Sequence, residues 1–168
     1  CGHATNLEVM NNLAKTKGKN WHIPDKVNFI TLDPRGMFGG AVFHGPDINS
    51  QYTFESVFGE LVCSFGGNSA ENEFYGMGGS IGISSDMKSV RHSAELMVKV
   101  MGLGAKTGKM SIGKADNLSD KMKEMIEDDE RVIINNGKIV SDLITEIYSD
   151  FNKEFTEKYA SRVGTGEC

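Results

Sequence analysis

Between Thr53 and Phe65 the apolar residues Phe54, Val57, Phe58, Leu61, Val62 and Phe65 follow one another at intervals of three and four. That is the period that gathers side chains on one face of an α-helix, and such a face has to be buried. Thr53, just ahead of the series, can cap the helix by accepting a backbone N–H on its hydroxyl. The same spacing recurs along the chain. Leu7, Met10, Leu13 and Ala14 predict a helix from Cys1 to about Lys17, which Gly18 can end. Asp86, Val90, Ala94 and Met97, with Met87 and Val98 beside them, predict a third helix capped by Ser84 or Ser85 and ending near Gly102. A fourth starts at Leu118, Ser119 or Asp120 and runs through Met122, Met125 and Ile126. Ile139, Val140, Leu143, Ile144, Ile147, Tyr148, Phe151, Phe155 and Tyr159 predict a long amphipathic helix at the C-terminal end.

Extended structure is confined to one region. Val27 and Phe29 lie in an alternating segment, Asp33-Pro34-Arg35-Gly36 is turn chemistry, and Gly39 to His44 reads as a second strand. Six glycines between Gly66 and Gly82 predict a short helical turn followed by a flexible loop. The expected fold class is therefore mainly α, with one small β-sheet or hairpin. A length of 168 residues supports one core and one domain, spanning residues 1–168. No run approaches the roughly 18 apolar residues of a membrane-spanning helix, so none is expected. The net charge is −5 with scattered lysines and arginines, which argues against a nucleic-acid partner. Cys1, Cys63 and Cys168 form no even framework, which points to a reducing, cytoplasmic compartment.

Spacing alone nominates no metal site. His3 has Leu7 four residues on, where a second helical ligand would have to stand. Cys1 and His3 are separated by roughly 200° around a helix and cannot chelate together. Asp86 near a helix start is accounted for by the helix dipole and free amides. His92 lies six residues further, off the Asp86 face, and His22 and His44 fall at turn or strand ends.

The order of segments nonetheless resembles the peptidase domain of FtsH-type ATP-dependent zinc metalloproteases over nearly the whole chain. Cys1-Gly2-His3-Ala4 matches the last four positions of that family's His-Glu-x-Gly-His-Ala motif. A strand leading to Pro34-Arg35-Gly36, a glycine-led edge strand at Gly39 to Phe43, and Gly66-Gly67-Asn68-Ser69-Ala70-Glu71 match its next signatures in order. Ser85-Asp86-Met87 with Ala94 and Met97-Val98 matches the family's next helix, and Leu118 to Tyr159 matches a closing helical hairpin. Asn68 stands where the family usually has Arg, and the loops around Pro46 and Met77 are longer.

The resemblance implies a zinc metalloendopeptidase acting on protein or peptide substrates. It implies His3 as the second zinc His and Asp86 as the third ligand, with the first His and the general-base Glu immediately before Cys1. On this reading the domain is N-terminally incomplete, and the chain holds no catalytic residue of its own. The family's zinc lowers the pKa of a water that its Glu activates for attack on a peptide carbonyl. Gly40, Ala41 and Val42 are implied to bind substrate as an added strand. A hexamer is also implied. No Walker-type loop is present, since Gly108-Lys109 lacks the required spacing, so any ATPase belongs to another segment; an anchor on that parent would put the domain at the cytoplasmic face of a membrane. The alternative is a protease-like scaffold without activity, serving binding or assembly. The two residues before Cys1 discriminate between them.

Overall fold

The structure is a computed structural model, and it describes residues 2–17, 27–31, 41–44, 53–76, 81–112 and 118–163. Five α-helices and one two-stranded sheet, with a short 3-10 and a π-helical turn, make up its regular structure among these residues: α1 Gly2–Thr16, β1 Val27–Thr31, β2 Ala41–His44, α2 Phe54–Tyr75, α3 Ser84–Glu95, α4 Asp120–Ile147 and α5 Ser149–Val163. The fold is mainly α, as the spacing of apolar residues predicts. The strands pair antiparallel, with Thr31 opposite Ala41 and Ile30 opposite Val42, and the register shifts between Val27 and Phe29.

Helix α2 is the hub, packed against α1, α3 and α4. Its start is a reciprocal capping box: the Ser56 amide donates to Thr53 Oγ1 at 3.2 Å and the Thr53 amide donates to Ser56 Oγ at 2.9 Å. Two apolar clusters flank it. Leu7 and Met10 of α1 meet Val62 and Ile144 on one side; Leu61 and Phe65 meet Val90 and Ala94 of α3 on the other. Where α2 crosses α4, Gly137 makes room for Leu61, whose Cδ2 would lie 2.0 Å from a Cβ at that position.

Four expectations are corrected. The helix expected to stop at Phe65 continues through Gly66 and Gly67 to Tyr75, because both glycines sit at the contact with α1, where the absence of a side chain permits close approach. The part of the expected glycine loop at residues 77–80 lies outside the described residues. Neither Ser84 nor Ser85 caps α3: a 3-10 turn, Ile81–Ile83, leads straight into it, and Ile83 at the cap position has no side chain able to accept. Leu13 and Phe54 face solvent, Phe54 stacking on Phe58 with ring centroids 5.5 Å apart. The two C-terminal helices divide at Tyr148, later than the apolar pattern places the break, so that Ile139 and Leu143 belong to the 28-residue α4. There they point outward while Ile144 faces the core.

Helix α3 runs on into a π-helical turn, Leu96–Val100, closed by the Met101 amide on the Leu96 carbonyl at 3.0 Å. The segment beyond folds back on that turn, with the Leu103 amide on Met97 O and the Ile112 amide on Lys99 O. Its tip is gripped from α4 by Asp129, which is 4% exposed. The carboxylate accepts the amides of Lys106 (3.0 and 3.1 Å) and Thr107 (2.8 Å) and the Thr107 hydroxyl (2.9 Å). Burial alone raises the Asp129 pKa, but these donors and the Ala105 amide outweigh it and hold the carboxyl below its ordinary value. Lys99 pairs with the buried Glu130 at 3.2 Å, a second tie between the π-helical turn and α4.

Candidate metal centre

His3 lies in the first turn of α1 and Asp86 in the first turn of α3, elements that are remote in sequence and both packed on α2. At its first turn helix α1 reaches α2 through backbone. A Cβ on Gly2 would lie 1.9 Å from Gly66 O, and one on Gly66 would lie 2.6 Å from both Gly2 C and His3 N. Only glycine at both positions permits this crossing. One residue further, the His3 ring lies over Gly67. Helix α3 is seated on the same helix by Val90 and Ala94, which brings its first turn toward His3. His3 Nε2 and Asp86 Oδ2 stand 3.2 Å apart, each side chain about one-third exposed (32% and 30%).

The turn just beyond His3 is tied down by buried polar groups. Asn6, fully buried, donates through Nδ2 to Val62 O at 3.1 Å and to Ser141 Oγ at 2.6 Å. Ser141 Oγ in turn shares a hydrogen bond with Ser69 Oγ at 2.8 Å, and Thr5 Oγ1 donates to Asn152 Oδ1 at 2.5 Å. One turn of α1 is thereby bonded to α2, α4 and α5. These residues carry no periodic signal by which the sequence could have singled them out.

Tetrahedral zinc with nitrogen and oxygen ligands at ~2.0–2.1 Å separates neighbouring ligand atoms by about 3.3 Å, so the His3–Asp86 pair fits one edge of such a site. The same distance also suits a hydrogen bond. Among the described residues no group of three or more His, Cys, Asp or Glu side chains could hold a metal, and His3 and Asp86 form a pair only. His92 is exposed on α3, His44 sits in β2 opposite Val27, and His22 lies outside the described residues. Of the three residues expected to bind substrate, Ala41 and Val42 are in β2, and Gly40 lies outside the described residues.

The sequence model of peptidase family M41 matches residues 17–162, which include Gly66, Gly67 and Asp86. The chain belongs to peptidase family M41. Its similarity to individual proteins points the same way. It is 31% identical over 126 residues to the ATP-dependent zinc metalloprotease FtsH of Ruminiclostridium cellulolyticum, covering 67% of this chain and 20% of that protein. It is 30% identical over 129 residues to the FtsH of Haemophilus influenzae, covering 66% and 20%. With the FtsH of Syntrophus aciditrophicus it shares 29% over 97 residues, 57% of this chain and 13% of that protein. The M41 match begins at residue 17, beyond α1, and so does not include His3.

Asn68, where the resemblance led to Arg, is a buried side chain of α2 whose Oδ1 accepts from Asn72 Nδ2 at 3.4 Å. An arginine would have to extend out of that position to stay solvated.

Proposed function

We propose that this M41 domain is the peptidase unit of a zinc-dependent endopeptidase, with His3 Nε2 and Asp86 Oδ2 as two of its metal ligands. The observation that carries the reading is their convergence to 3.2 Å from two helices remote in sequence that both pack on α2. Zinc, when bound, supplies Lewis acidity that polarises a peptide carbonyl and makes water acidic enough to attack near neutral pH. The chain's own contribution is positional. His3 is fixed through the backbone contact of α1 with α2, and Asp86 rides on the first turn of α3. Both side chains are open enough for a substrate to reach them. The reading calls for a further His ligand and a general-base Glu besides this pair.

Substrate on this reading is a flexible or unfolded protein segment, laid as an added strand along β2 at Ala41 and Val42, with Gly40 just ahead of them in sequence. Strand addition recognises backbone rather than side chains and so suits varied sequences. ATP-driven delivery, a hexameric assembly and a cytoplasmic setting belong to the same proposal, with the ATPase on another segment of the protein. The experiment is zinc content and casein cleavage of the intact protein beside its Asp86→Ala and His3→Ala variants. Loss of zinc and cleavage together in both variants is expected. Full zinc stoichiometry in either variant overturns the ligand assignment, and zinc without cleavage in the parent favours the scaffold reading.

A further inference from the structure

Gly66 and Gly67 are neighbours in α2, yet what each faces differs in kind. The space a Cβ would take at Gly66 is occupied by backbone, Gly2 C and His3 N at 2.6 Å. At Gly67 it is occupied by one side chain: His3 Cε1 at 2.5 Å, Nδ1 at 3.3 Å and Nε2 at 3.4 Å. A glycine inside a helix lowers its stability relative to alanine, so the helix itself gives no reason for Gly67. We propose that Gly67 is a positioning residue for His3: its missing side chain is the slot in which the imidazole lies, and the slot aims Nε2 at Asp86.

The argument rests on which atoms would have to move. The ring is the far end of a side chain with two rotatable bonds, so an alanine at Gly67 is accommodated by turning His3 aside while both backbones stay in place. Turning the ring breaks the 3.2 Å approach of Nε2 to Asp86. Gly67→Ala therefore spares the fold and spoils the pair, whereas Gly66→Ala meets backbone and strikes the fold. The importance of Gly67 for metal binding rests on the zinc reading above; its hold on the imidazole does not.

The test is a double-variant cycle on this chain with Gly67→Ala and His3→Ala, read by thermal unfolding. With His3 truncated, Gly67→Ala is expected to raise the Tm as an ordinary helix substitution. With His3 intact the gain is expected to be smaller or reversed. Equal shifts in the two backgrounds overturn the proposal. If Gly67→Ala alone fails to fold, recovery in the double variant supports it and continued unfolding overturns it. The second readout is the His3 ring, followed by NMR during zinc additions. Gly67→Ala is expected to lose the ring's contact with Asp86 and to bind zinc at least about tenfold more weakly, as for lost ligand-orienting partners elsewhere. Equal zinc affinity in parent and variant overturns the positioning role and leaves the zinc reading standing. If the parent, with two ligands only, does not respond to zinc, the unfolding cycle alone decides the role of Gly67.

Discussion

Replacing Asp129 by alanine should open the segment beyond α3. The carboxylate is almost fully buried and is the shared acceptor of the Lys106 and Thr107 amides and the Thr107 hydroxyl. Thr107 is 6% exposed, so water replaces that acceptor poorly, and a buried donor left without one costs about 1–3 kcal/mol. The Lys106 amide is nearer solvent and recovers part of its loss, and the Thr107 hydroxyl can turn to another partner. The sum comes to about 2–4 kcal/mol, a large share of the roughly 5–15 kcal/mol that holds a domain together. Asp129→Asn keeps one acceptor oxygen and should lose about half as much. The charge adds a pH signature. Because the folded pKa is lowered, the carboxylate's contribution is fully present above the unfolded value, near 3.8, and is lost as pH falls through that value toward the folded one. Urea unfolding followed by circular dichroism at pH 7, 5 and 3.5 measures both effects. The parent should lose stability over the lower interval, and Asp129→Asn should lose less over the same interval. A loss below about 0.5 kcal/mol in Asp129→Ala at pH 7, or an acid response in Asp129→Asn as steep as the parent's, refutes the clamp.

Gly66→Ala should cost about 1–3 kcal/mol of stability despite better helix propensity, because its Cβ meets backbone at 2.6 Å; a raised Tm would refute the close crossing. Asn6→Ala should cost about 1–3 kcal/mol by leaving Val62 O and Ser141 without their donor, and Asn6→Asp should be no better, since a carboxylate cannot donate to Val62 O; chemical unfolding of both variants checks this. Cys63, whose thiol is pushed up to about 12 by burial and then by Glu60, should resist alkylation at pH 8 in the folded chain and react once urea unfolds it, as peptide mapping by mass spectrometry would report; rapid native labelling counts against the raised pKa.

The helices were legible because burial leaves a periodic trace. Val57, Leu61, Val62 and Phe65 are buried where the three-and-four spacing puts them, and Thr53 caps as its chemistry suggests. What stayed hidden depends on neighbours distant in sequence. Gly66 and Gly67 carry the signature of a helix breaker, and only the presence of α1 against them turns that into a requirement for space. Asp129 and Glu130 sit within a charged run, Glu127 to Arg131, that looks like a solvated face, and the loop that buries them starts a helix away. Ile139, Leu143 and Ile147 satisfy the helical period and still point outward, since period fixes a face but not what covers it. The His3–Asp86 pair came from resemblance: no spacing rule links residues on α1 and α3 whose approach is set by a third helix.

The π-helical turn at Leu96–Val100 separates the two jobs of the segment that contains it. A wide turn holds one more residue than an α-turn, so it acts as a phase shift of about 100° between the helix before it and the chain after it. Upstream, Val90 and Ala94 keep their seat on α2 and Asp86 keeps its bearing on His3. Downstream, the shift aims the Gly104–Gly108 reversal at Asp129. Deleting a single residue from the turn would swing that reversal around the helix axis and off its clamp while leaving Asp86 where it is. The helix thus behaves as two indexed parts on one shaft, the first free to keep its alignment while the second is adjusted.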